Sequence, residues 1–348
     1  MTEIEEFILR RSDFSLSEEQ TALRDAFESF FQRNCVSERV RKAEPLGWDA
    51  ELWAEMAELR PVAMGVPQSR GGDDAGLAEL ALVTEQAGRR AAPVPLVETM
   101  VAARLLASVE TDAAADALDR VLAGEVASVV VGPASPAGRL VPAGAVATTV
   151  LGLRGDSLVM STRQEPPPPV RNLACAPLAW WHLADGVVLA SGDQARSTFA
   201  RAQREWRVLT AAALVGVGAS ALDLAVQYAK DRRAFGVPIG SFQSIAHPLA
   251  DVLTGIECAR RLTYKAAWFA DHEPGNLGPL ATMAFVQAAE AAEQSGSVAI
   301  HTQGGFGFTL ESDVQLYFRR AKGWALIAGD RRQELQGIAD ELFGPVRR

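Results

Sequence analysis

The sequence predicts an α+β protein in three parts: a helical segment over residues 1–125, a small β domain over 126–200 and a helical bundle over 201–348. Three observations predict it. Apolar residues recur at helical spacing through the first third of the chain. Near residue 126 the composition shifts to short β-branched runs separated by Gly, Pro and Asp. From about Phe199 onward long, alanine-rich helical patterns return. Helix-period patterns on either side of period-two runs call for separate layers, not an alternating βαβ fold.

In the first part, Ser17 followed by Gln20 forms a capping box that opens a helix, and Leu23, Phe27, Phe30 and Phe31 then share one face. Trp48 to Leu59 reads as a second amphipathic helix, stopped at Arg60-Pro61, and Gly65-Val66-Pro67 with Gly71-Gly72 punctuates a loop. Leu77 to Ala87, Pro95 to Leu106 and Ala113 to Leu122 complete the helical part, the last ending at Gly124. In the middle, Val129-Val130-Val131, Val146 to Leu151, Leu158-Val159-Met160 and Val187-Val188-Leu189 read as strands of a small antiparallel β domain, with Pro166 to Pro169 in a loop. In the third part, helices are predicted over 207–231, 277–303, 311–323 and 330–343. Between the first two of these, Ile245, Leu249, Val252 and Ile256 put one face of a further helix on a core, with Pro248 in its first turn or at a kink. Glu290 and Glu293 mark the polar side of the 277–303 helix.

Composition narrows the function. The 348 residues carry 34 Lys and Arg against 43 Asp and Glu, a net charge of −9, which argues against nucleic acid or an anionic membrane as partner. Cys35, Cys175 and Cys258 are odd in number and far apart, the pattern of a reducing compartment. His182, His247, His272 and His301 never fall at metal-ligand spacing, so no metal site is expected. Residues 1–13 mix acidic and basic charges and lack the apolar core of a signal peptide, and the apolar stretch Leu209 to Leu222 is short for a membrane span. A cytoplasmic protein is expected.

Motifs in the third part give a sharper reading. Arg232-Arg233-Ala234-Phe235-Gly236-Val237-Pro238-Ile239-Gly240-Ser241-Phe242-Gln243 matches R-x-x-F-G-x-x-I-x-x-F-Q. His301-Thr302-Gln303-Gly304-Gly305-Phe306-Gly307-Phe308 matches Q/H-x-x-G-G-x-G-(F/Y), and Arg319-Arg320-Ala321-Lys322 resembles R-D-A-K. In this order and spacing the chain resembles the acyl-CoA dehydrogenase family. The resemblance implies the family fold: an N-terminal helical domain, a middle β domain, here shortened, and a C-terminal four-helix bundle. It also implies FAD, an acyl-CoA substrate and an electron-transfer flavoprotein-type acceptor. The cofactor-binding residues it implies are Arg232 on the diphosphate, Phe235 near the adenine, Gln243 and His301 as hydrogen-bonding groups, and Gly304 and Gly305 where backbone amides approach the diphosphate. In the family these motifs reach across a dimer interface to the ADP half of the neighbouring subunit's FAD. The same residue types also occur as plain helix caps and solvated surface groups, and the Gly304-Gly305 pair follows a helix, so it is no Rossmann fingerprint.

The catalytic residues depart from the family pattern. The family reaction removes an α-proton with a carboxylate and passes the β-hydrogen to flavin as hydride, so it needs a general base. The usual Glu, six residues after the Lys of R-D-A-K, falls on Ala328, and the alternative position on an earlier helix, ten residues ahead of Gly216, falls on Trp206. Glu205 and Asp330 are the nearest carboxylates to these positions. The middle-domain segment T-E-P-x-x-G-S-D and the later W-I-T-(N/S) strand, which hold the flavin ring in the family, have no counterpart; Ala127 to Gly138 contains no acidic residue.

Catalytic base and flavin pocket are thus absent together, with no catalytic residue assigned. This resembles the non-catalytic, base-lacking subunit of heterotetrameric actinobacterial acyl-CoA dehydrogenases of steroid degradation. In those, a second acyl-CoA dehydrogenase subunit carries the catalytic Glu and flavin pocket, and FAD is shared between the two. The other readings are a self-sufficient homo-oligomeric flavoenzyme using Glu205 or Asp330, and a non-enzymatic scaffold of the same fold.

Overall fold

A computed structural model describes residues 15–344 except 133, 136 and 137. The expectation for residues 1–13 therefore lies outside the described residues. The first part holds helices α1 (Glu18–Asn34), α2 (Ser37–Lys42), α3 (Ala50–Ala57), α4 (Pro61–Met64), α5 (Leu77–Arg89), α6 (Leu96–Ala107) and α7 (Asp112–Leu122). The capping box forms as read. Ser17 Oγ accepts from Gln20 N at 3.2 Å, and Ser17 N donates to Gln20 Oε1 at 3.1 Å. Phe27, Phe30 and Phe31 are buried on the face the spacing predicts. Asp49 caps α3, and Pro61, expected only to stop that helix, also opens α4 at its first position, where a missing N–H costs nothing.

The middle part differs from a simple antiparallel domain. It forms β1 (Ala127–Val129), β2 (Ala134–Ser135), β3 (Gly138–Val141), β4 (Thr149–Arg154), β5 (Ser157–Thr162), β6 (Ala179–Trp181) and β7 (Val187–Ser191). They lie in two sheets, β1-β4-β5-β7 and β2-β3-β6. β1 pairs with β4 in parallel, Ala127 opposite Thr149, while all the other pairs in these two sheets are antiparallel. The reason is topological: the chain leaves β1 for the second sheet and returns to the first running the same way. Trp181, fully buried, donates its indole N–H to Gly144 O at 2.8 Å and closes the space between the sheets.

The third part contains α8 (Gly192–Asp231), a two-stranded ribbon of β8 (Arg233–Ala234) and β9 (Val237–Pro238), α9 (Gln243–His272), α10 (Leu277–Gln303), α11 (Val314–Ala325) and α12 (Arg331–Phe343). α8 starts well before the predicted 207–231, inside the segment read as β. Ala195, Phe199, Ala202 and Trp206 are buried along this early stretch at spacings of four, three and four, a helical period that carries the helix back to Gly192. Pro248 lies in the second turn of α9, not the first, while Leu249, Val252 and Ile256 are buried as the spacing requires. α8 has a window long and apolar enough to cross a membrane, but 83% of it is packed inside the protein, so it is the central core helix.

Helix directions follow from contacts. The rings of Trp206 and Phe285 lie 5.7 Å apart, and further along Ser295 Oγ donates to Gly218 O at 2.6 Å, so α8 and α10 run parallel. α9, joined to each by a short connection, runs antiparallel between them, with Ile256 against Gly218. The end of α8, the start of α9 and the end of α10 therefore meet at one end of the bundle. α11 completes the four helices, and α12, with no buried residue, is held on the outside by Arg207–Glu334 at 2.8 Å.

Candidate functional site

The six residues that the cofactor motifs supply gather at that bundle end. Arg232 terminates α8, and its exposed guanidinium has no hydrogen bond or ion pair among the described residues. Phe235 and Gly236 form the two-residue turn between β8 and β9 at φ 53° and 82°. A bulky side chain in the left-handed region is strained. Phe235 is also 97% exposed, with its ring edge-on to Phe242 at 6.2 Å. Strain and exposure together place an aromatic face in solvent at a local cost. Gln243 opens α9 and His301 lies in the last turn of α10; both are exposed. Gly304 has φ 63°, and a Cβ at Gly304 or Gly305 would meet nothing within 4 Å, so the backbone there is open to an approaching group. Gly307 is different: a Cβ there would meet Ile300 O at 2.9 Å, so this glycine serves packing. Phe306, Phe308 and Leu310, next in the chain, are exposed and extend the apolar surface.

These residues suit the ADP half of a dinucleotide: a free guanidinium for phosphate, an exposed ring for a base, and glycine backbone for close approach.

Of the two positions where a base would stand, one lies on a cavity of about 80 Å³ between the helical and middle parts, and the other is next to a residue that lines it. Trp206 lines it, as does Ile327, the residue before Ala328. Neither position presents a proton acceptor. The two nearby carboxylates do not substitute. Glu205 is buried and held by Arg104, Nε to Oε2 at 3.0 Å and Nη2 to Oε1 at 3.2 Å. Asp330 is exposed, capping α12 through Arg332 N at 3.0 Å.

The cavity contains polar groups that sequence reasoning missed. Glu98, in the apolar helix α6, lines it with Oε1 3.5 Å from Trp206 Nε1. Desolvation pushes its carboxyl above the usual range. Arg320 and Thr210 line the same space, both buried. One signal was available for Arg320, which stands where the R-D-A-K pattern has Asp; nothing in the sequence marked Glu98 or Thr210. Across the cavity wall, Glu44 accepts from Arg319 Nη2 at 2.7 Å and Arg320 Nη1 at 2.5 Å. Burial alone would raise the Glu44 carboxyl, but these hydrogen bonds outweigh it and hold it below the ordinary carboxylate range.

The sign for Glu98 gives a prediction. A carboxyl raised in the folded state binds its proton more tightly there than in the unfolded chain. Its contribution to stability therefore falls as pH rises from about 4 through the folded pKa. Glu98→Gln removes that loss, so the variant should melt higher than wild type at pH 7 and equal it near pH 4. A lower melting point at pH 7 would show that Glu98 is held ionised.

Comparison with known proteins identifies the family. The family profiles "Acyl-CoA dehydrogenase, N-terminal domain" and "Acyl-CoA dehydrogenase, C-terminal domain" match residues 17–125 and 198–343. The acyl-CoA dehydrogenase IpdE2 of Mycolicibacterium smegmatis is 30% identical over 333 residues, covering 94% of this chain and 100% of its own. IpdE2 of Mycobacterium tuberculosis is also 30% identical, covering 94% and 98%. Among solved structures, the Tcur3481-Tcur3483 steroid acyl-CoA dehydrogenase superposes with TM-score 0.82 at 26% identity, over 94% of this chain and 98% of that one. The ChsE4-ChsE5 complex from Mycobacterium tuberculosis shares the fold, with TM-score 0.79 at 22% identity over 95% and 98%. With both terminal domains matched and full-length relatives at this identity, the chain belongs to the acyl-CoA dehydrogenase family.

Proposed function

We propose that this chain is the cofactor-supporting subunit of a heteromeric, FAD-dependent acyl-CoA dehydrogenase. A second subunit of the same fold brings the catalytic Glu and the flavin-ring pocket. The observation that carries the reading is the separation of two features within one chain. Both base positions, Ala328 and Trp206, lack a proton acceptor, while Arg232, Phe235, Gln243, His301, Gly304 and Gly305 stand together, exposed, at one bundle end. A chain with no partner has no use for a strained, solvent-facing Phe235 beside an unpaired guanidinium.

Bound FAD would supply a hydride acceptor for the substrate's β-hydrogen, with an electron-transfer flavoprotein-type protein as the onward acceptor. This chain's residues bind and orient. The Arg232 guanidinium would hold the diphosphate, the Phe235 ring would face the adenine, and the Gly304-Gly305 backbone would approach the phosphates. Gln243 and His301 supply further hydrogen bonds. The partner's carboxylate takes the α-proton. The name of one similar structure, a steroid acyl-CoA dehydrogenase, supports a steroid-derived acyl-CoA as substrate class. The reading places the complex in the cytoplasm, with neither nucleic acid nor membrane as partner.

Expressed alone, the chain should purify without stoichiometric flavin. Co-expressed with the matching subunit, it should yield a yellow complex that reduces a ferrocenium-type acceptor when acyl-CoA is added. Full flavin occupancy in the lone chain would overturn the proposal. In the complex, Arg232→Ala should weaken FAD retention by about 1.5–3 kcal/mol, the worth of a charge-assisted hydrogen bond, read as flavin lost on dialysis at low FAD. Unchanged retention would remove Arg232 from the site.

A further inference from the structure

The cavity bordered by Trp206 and Ile327 holds more polar chemistry than its apolar lining needs. Glu44 is one carboxylate facing two guanidiniums, Arg319 and Arg320. Arg319 spends its other donors on Gln315 Oε1 at 2.7 Å and Cys175 Sγ at 3.1 Å. Arg320, 2% exposed, donates only from Nη1; its Nε and Nη2 have no partner among the described residues. Those two nitrogens form the edge of a guanidinium that grips a carboxylate with two parallel hydrogen bonds. That edge is not sealed from solvent, so it remains available to an entering anion. Thr210, one turn beyond Trp206 on α8, is the second sign: its buried hydroxyl has no hydrogen-bond partner either. Both line the same cavity, whose remaining wall is mostly apolar, with Ala87, Ala91, Val94, Pro95 and Trp324, and with Thr84 and Glu98 as its other polar groups.

We propose that this cavity is a binding site for a short-chain monocarboxylate, held by the free Nε–Nη2 edge of Arg320 and by the Thr210 hydroxyl, with its alkyl end against the apolar wall. The charge count favours an anion. The cluster of Glu44, Arg319 and Arg320 carries one net positive charge, and the Glu98 carboxyl opposite is driven toward its neutral form by desolvation. Size sets the chain length. A volume of about 80 Å³, at about 30 Å³ per water, corresponds to roughly three waters, which suits a small carboxylate and not a long acyl chain. The site depends on an arginine where the R-D-A-K pattern has an acid, so it is a property of this chain's own substitution. It does not rest on the subunit role proposed above.

The test is calorimetric titration of the full chain, without flavin or partner, with sodium butyrate and with butyramide at matched ionic strength. Butyrate should bind at one site and butyramide at least about tenfold more weakly, since the amide lacks the charge that strengthens hydrogen bonds to a guanidinium. Arg320→Gln should weaken butyrate binding about ten- to hundredfold. Thr210→Val should weaken it about fivefold without loss of stability, because the hydroxyl has no protein partner to lose. Should Arg320→Gln fail to fold, the amide comparison and Thr210→Val decide. No binding of butyrate up to tens of millimolar, equal binding of butyramide, or unchanged binding in either variant overturns the proposal.

Discussion

Gly216→Ala will cost about 3–4 kcal/mol of stability by forcing α8 away from α5. The two helices cross backbone to backbone. A Cβ on Gly216 would lie 2.1 Å from Glu85 O and 2.7 Å from Arg89 N, and one on Gly88 would lie 2.0 Å from Ala213 O. Backbone atoms of a helix cannot rotate aside as a side-chain end can, so relief requires the helices to move apart, and this contact is where the N-terminal helices meet the bundle. Gly255→Ala is the control. It is also helical, but its Cβ would meet only Ala291 Cβ at 3.9 Å, so helix propensity should make it neutral or stabilising by up to about 1 kcal/mol. Urea unfolding of both variants checks the pair; equal midpoints would show that the crossing can relax.

Glu205→Gln should cost about 3 kcal/mol of stability and leave turnover of the complex within about threefold of wild type. The Glu205 carboxylate is the counter-charge of Arg104, whose side chain is 18% exposed and whose Nη1 is already committed to Gly65 O at 2.9 Å. Loss of the charge leaves a buried guanidinium half satisfied, and breaking such a pair is far more costly than never having made it. The kinetic readout separates structure from chemistry. A general base is worth about 10²–10⁴ in rate, so a hundredfold fall in acyl-CoA-dependent acceptor reduction with flavin retained would make Glu205 catalytic.

The helical parts were legible because their signals are local. Ser17 and Gln20 are three residues apart, and Phe27, Phe30 and Phe31 declare their face without reference to anything distant. The same holds for Leu249, Val252 and Ile256. The parallel pairing of β1 with β4 was not legible. It depends on where the chain goes between them, and strand periodicity is the same for either direction. The early start of α8 was misread for a different reason. The β-branched run ending at Leu189 set an expectation that carried past Gly192, although Ala195, Phe199 and Ala202 had already changed period.

The candidate site divides the same way. Residues embedded in contiguous motifs, such as Arg232, Phe235 and the Gly304-Gly305 pair, could be named from sequence, and the structure adds that they share one bundle end. The cavity could not. Glu98, Thr210 and Arg320 come from three helices far apart in the chain, each looks like an ordinary helical residue in its own segment, and only packing brings them to one space.

The passage from β7 into α8 has no linker. Ser191 is the last residue of the strand and Gly192, at φ 66°, the first of the helix. Forty residues of helix then form a rod of about 60 Å. The sheets thus have no hinge on that side about which to swing, and their attitude to the bundle is set by the bearing of one helix. The same rod spaces the cavity from the bundle end. Trp206 and Asp231 are 231 − 206 = 25 residues apart on it, or about 38 Å. That distance works as a fixed ruler within the subunit, so an adjoining chain that engages both places must match one unyielding span.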